Sequence, residues 1–121
     1  MNTQDKFNKS VLGIWHQGGK SYDEDLEKCR YRSADGNKCA IGHLIPDESY
    51  DPDFEGWGLS YDAVKLAAGI EPHELYAFEG LQSSHDNADN GDSFLGSFIE
   101  KAKQVADEYD LTFPDLPERT R

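Results

Sequence analysis

The chain has 121 residues and a formal net charge of −12, from 24 acidic and 12 basic side chains, with 36% hydrophobic residues. That length suits one domain and one core, and two Trp, six Tyr and six Phe are too many for a wholly disordered acidic chain. Two cysteines exclude a disulfide scaffold, and no stretch approaches the roughly 18 apolar residues of a membrane span.

The charge is unevenly placed. Residues 1–40 hold seven basic and six acidic side chains, a net of +1, whereas 41–121 hold five and eighteen, a net of −13. An acidic surface repels phosphate backbones and anionic lipid, so direct nucleic-acid or membrane binding is disfavoured. The expected partner is a basic protein or a nucleic-acid-binding complex. The polar start, Met1 to Ser10, has no signal-peptide core, and the expected location is the cytoplasm, with Cys29 and Cys39 as free thiols.

Phe7, Val11, Ile14 and Trp15 recur at helical spacing, with Asn2 or Thr3 as cap and Gly18-Gly19 as stop, which predicts a helix over 3–17. A charged connection follows to Lys28. Residues 28–45 read as a β-hairpin around Asp35-Gly36. A three-residue loop at Ala34-Asp35-Gly36 places Tyr31 opposite Cys39 and Cys29 opposite Ile41, leaving Arg30, Arg32 and Lys38 together on a basic face. Residues 46–60 form an acidic loop pinned by Tyr50, Phe54 and Trp57. Helices are expected over 61–68, after a Ser60 cap, over 72–87, from Pro72, and over 93–109, with a polar turn at 87–92 between the last two. Three apolar residues of the tail can pack down before its end frays. The whole reads as a single α+β domain of residues 1–121, in which the helices cover the hairpin's apolar face. A lone hairpin is marginal in water, so it needs that cover or a partner strand from a second protomer, which makes a homodimer the alternative expectation.

Cys29, Cys39, His43, His85 and Asp86 are zinc-type ligands in number and kind. On an extended strand, Cys39 and His43 would lie about 13 Å apart, so a shared ion needs a bend at Gly42 or a helical turn. His85-Asp86 also matches the paired ligands of metal-dependent phosphohydrolases, although a histidine near a helix C-terminus has a simpler dipolar role. A calcium loop from Asp86 fails at Ala88 and Ser97, where carboxylates are required. No nucleophile elbow or phosphate-binding glycine loop is present. The two remaining candidate surfaces are the acidic aromatic loop, with Asp47, Glu48, Asp51, Asp53, Glu55 and Trp57, and the basic face with Arg30 and Arg32. The first suits a basic partner and the second an anionic nucleotide.

The run CRYRSADGNKCAIGHLIPDESY at 29–50, with FEG at 54–56 and LQSSHD at 81–86, resembles a group of small proteins of tailed phages, prophages and bacteria. The resemblance singles out Arg32, Cys39, Gly42, Pro46, Asp47, Gln82, His85 and Asp86. It implies no activity; it implies a phage or mobile-element setting, with host cytoplasm, and a host-takeover or anti-defence role. The leading expectation is a non-enzymatic protein that modulates a host protein, such as a DNA mimic that blocks a defence complex, and the alternatives are a metal-dependent enzyme using the Cys, His and Asp set or a nucleotide sponge using the basic face. No cofactor is expected on the leading reading, and zinc is the alternative.

Overall fold

A computed structural model describes residues 1–118. The protein is a small α+β domain: helix α1 (Thr3–Gln17), a two-stranded antiparallel hairpin β1 (Tyr22–Asp23) and β2 (Lys28–Cys29), then helices α2 (Asp62–Ala68), α3 (Leu75–Asp86) and α4 (Phe94–Glu108). No helix among the described residues is long and apolar enough to cross a membrane.

The helices start and stop where local chemistry dictates. Asn2 accepts the Asp5 N–H at 2.8 Å to open α1, and Gly18, at φ 79°, ends it in the left-handed conformation. Helix α2 begins after Tyr61 rather than from a Ser60 cap, and no side chain caps it. Single 3₁₀ turns, Pro72–Glu74 and Gly91–Ser93, lead into α3 and α4. Phe7, Val11 and Ile14 of α1 meet Phe78 and Leu81 of α3 and Phe94, Phe98 and Ala102 of α4 in one core. Lys6 and the buried Glu74 form an ion pair at 2.6 Å that ties α1 to the start of α3. After α4, Leu111, Phe113 and Leu116 pack on the core, and Gln4 holds Thr112 through two hydrogen bonds. The expected fraying falls on residues 119–121, outside the described residues.

The hairpin lies earlier than the sequence suggested, and it is shorter. Its pairs are Tyr22 with Cys29 and Asp23 with Lys28, and the turn is built by Asp23, whose Oδ1 accepts the N–H groups of Asp25 and Leu26. The predicted hairpin at 28–45 survives only as a short stem. Arg32 bridges Lys38, the Cys39 N–H reaches the Tyr31 carbonyl, and Gly36 adopts φ 91°, which is the three-residue-loop register. Beyond Cys39 the chain coils into helical turns, and the Cys29–Ile41 pair does not form. The reason is burial: Cys39, Ala40 and Ile41 are enclosed on every side, whereas a strand in a lone hairpin keeps one wet face. The Ile41 N–H goes instead to Gln82 on α3, and the Ala40 carbonyl accepts from Ser10 on α1. The helices therefore pack on one another and on the 39–45 segment. A hairpin with two-residue strands offers them no platform.

Candidate functional site

The Cys39–His43 stretch is the helical turn that a shared metal would need, with the His43 N–H donating to the Cys39 carbonyl at 3.1 Å. Their side chains nevertheless part. Cys39 is fully buried, its Sγ accepts the Gly42 N–H, and burial pushes its thiol up to about 12. The His43 ring packs over Gly13, and its Nε2 bonds Gln17 Oε1 at 2.9 Å. Gln17 Oε1 has only lone pairs, so His43 Nε2 carries the proton.

The other three candidate ligands meet. One ligand atom each from Cys29, His85 and Asp86 lies within 4.8 Å of the others. Strand β2 brings Cys29 there, and the last turn of α3 brings His85 and Asp86. His85 has no solvent exposure and meets Phe94 edge-to-face at 5.5 Å. The Ser21 N–H donates to its Nε2 at 3.1 Å, so the neutral ring carries its proton on Nδ1, facing Asp86 Oδ1 at 2.9 Å. Gln82 Nε2 donates to the same carboxylate oxygen at 2.9 Å. Offering Nδ1 to a metal would move the proton to Nε2, where it would oppose the Ser21 N–H. The trio is therefore held around Asp86, whose carboxylate the imidazole orients and whose carbonyl the Cys29 thiol approaches at 3.9 Å.

The Cys29 thiol is half-buried. Burial first, and then the Asp86 charge, push it up to about 12, so it is a thiol rather than a thiolate nucleophile at neutral pH. With Nε2 committed to Ser21, His85 has no lone pair to take its proton. In this arrangement His85 is not placed to act as a general base for Cys29.

Cys29, Gln82 and Asp86 line a cleft of about 230 Å³ together with Tyr31, Trp57 and Leu59. The Tyr31 hydroxyl donates to the Trp57 carbonyl and fastens this part of the lining. Trp57 stacks on Tyr61 at 5.0 Å between centroids and 17° between planes, with both rings exposed to solvent.

The basic face does not stand free. Arg30 pairs with Asp23 at 3.4 Å and Glu55 at 3.8 Å. Arg32 pairs with Asp47 at 2.9 Å, donates to the Ile45 carbonyl and lies over the Tyr50 ring, while Lys38 is 3.8 Å from Asp47. Glu55, read from the sequence as a partner-binding acid, is an internal brace that accepts the N–H groups of Tyr31 and Arg32 and the Tyr50 hydroxyl. Asp51 caps the 3₁₀ turn Pro52–Phe54 by accepting the Asp53 N–H, and Glu48 and Asp53 point to solvent. Ser21 has no signature in the sequence, because its part is played by a backbone N–H; Gln82 is visible only through the LQSSHD resemblance. No family model, curated protein or solved structure matches the chain.

Proposed function

We propose that the protein is a non-enzymatic binding module from a phage or mobile element that engages a basic host protein, one whose own ligand is nucleic acid. The observation that carries this reading is the compensation of charge within the fold. Arg30, Arg32 and Lys38 are turned onto Asp23, Asp47 and Glu55, which leaves Glu48, Asp51 and Asp53 exposed in the segment that leads to the stacked Trp57–Tyr61 pair. Exposed aromatic area and exposed carboxylates on one segment are the composition of a surface that holds through rings and steers through charge. An anionic nucleotide has no open cationic face to meet here, and the raised Cys29 thiol weighs against covalent chemistry.

The test is crosslinking of the protein to its partner in a host cell, compared with Trp57→Ala/Tyr61→Ala. A basic nucleic-acid-binding protein recovered by the wild type and lost by the double variant supports the reading. Recovery of the same proteins by both, or of acidic proteins only, contradicts it.

A further inference from the structure

The geometry points to the cleft beneath Trp57 as a receptor for one guanidinium group, the side chain of an arginine on the partner. This rests on the proposed binding of a basic protein and names the residue that the partner would insert.

Size comes first. At about 230 Å³ the cleft lies below the roughly 300–1,000 Å³ of sites for drug-sized ligands, and it suits a single side chain. Charge comes second. Two carboxylates line the cleft, Glu55 and Asp86. Glu55 already accepts from Tyr31, Arg32 and Tyr50 and pairs with Arg30. Asp86 is different: His85 Nδ1 and Gln82 Nε2 both hold Oδ1, the Cys29 thiol is its other neighbour in the cleft, and no cation pairs with it among the ion pairs of the described residues except the His85 ring. The carboxylate is 39% exposed and is fixed from behind by a fully buried imidazole that Ser21 holds in one tautomer. It is an oriented acceptor that need not be ordered on binding. Arg30, the one cation on the lining, is compensated by Asp23 and Glu55.

The walls supply the third argument. Trp57 and Leu59 line the cleft together with Gln82 and Asp86. An arginine can lay its methylene stem along such an apolar wall while its planar head reaches a carboxylate. A compact lysine ammonium fits the same carboxylate without the planar match, so the cleft should discriminate between the two.

The probes are methylguanidinium and methylammonium, followed through the indole N–H resonance of Trp57 in the intact protein. Methylguanidinium should shift that resonance saturably in the millimolar range, with methylammonium at least threefold weaker. Asp86→Asn keeps an oxygen for His85 and Gln82 and so preserves the fold, and it should weaken methylguanidinium at least fivefold. Equal binding by Asp86→Asn, or no saturable shift, overturns the inference. A parallel titration with nona-arginine at low salt separates the two claims. Nona-arginine bound equally by wild type and Asp86→Asn removes the cleft and leaves the basic-partner reading standing, whereas no nona-arginine binding removes both.

Discussion

Ser21 and His85, 64 positions apart, are joined by one hydrogen bond from a backbone N–H to Nε2 at 3.1 Å, and both residues are buried. That bond fixes the imidazole tautomer, and the tautomer fixes Asp86. His85→Ala would leave the Ser21 N–H without an acceptor and open a void against Phe94. The expected loss is about 2–5 kcal/mol in urea unfolding. A loss below about 0.5 kcal/mol, the range of an ordinary surface change, would show that the bond holds nothing in place.

Gly42 is required for close approach, not for an unusual backbone angle. A Cβ built there would lie 2.1 Å from the Tyr31 carbonyl oxygen, which already accepts the Cys39 N–H. Gly42→Ala should cost about 2 kcal/mol or more, since a backbone atom must shift. Gly13→Ala should cost less: its neighbour is the His43 ring at 2.6 Å, and alanine in a helix returns up to about 1 kcal/mol. Comparison of the two by chemical denaturation tests the ranking.

His43 gives a pH signature. Burial, and then the positive charge of Lys38, lower it from 6.5 to about 4. Between those values the unfolded chain binds a proton at this position that the folded chain does not, so stability is full above pH 6.5 and falls as the pH drops toward 4. Unfolding free energy measured from pH 6.5 to 5 should decline in the wild type and decline less in His43→Asn. Parallel profiles would place the titrating group elsewhere.

The Cys29, His85 and Asp86 trio should hold zinc poorly, because the imidazole offers its Nδ1 only at the expense of the Ser21 bond. Dialysed protein should retain less than about a tenth of an equivalent, with a melting temperature indifferent to chelator. Stoichiometric retention with a raised melting temperature would mean that the proton moves and the site is a metal centre.

Much of this was legible in the sequence. The helix at 3–17 has the observed bounds, because a capping Asn2, a heptad-like run of apolar residues and Gly18 agree with one another. The stem register at Arg32 and Lys38 followed from separating apolar from basic faces. The hairpin's position did not, for the Asx turn at Asp23 lies in a stretch with few apolar residues, and Cys39 to Ile45 is apolar without a period that tells strand from buried coil. At the site, residue types grouped Cys29, Cys39, His43, His85 and Asp86, of which Cys29, His85 and Asp86 meet and Cys39 and His43 turn elsewhere. Ser21 escaped notice because a backbone donor leaves no trace in side-chain chemistry. The basic face failed for a related reason: pairing of Arg30 and Arg32 with Asp23, Glu55 and Asp47 depends on how loops fold back, which spacing does not record.

The central claim, that an acidic aromatic surface binds a basic partner, is tested most directly by the affinity for a labelled arginine-rich peptide, measured at 50 and 300 mM salt with the wild type and with Trp57→Ala/Tyr61→Ala. The account predicts at least tenfold weaker binding at the higher salt, from screening of exposed charge, and a further loss of about tenfold in the double variant. Binding that ignores salt, or that survives removal of both rings unchanged, would contradict it.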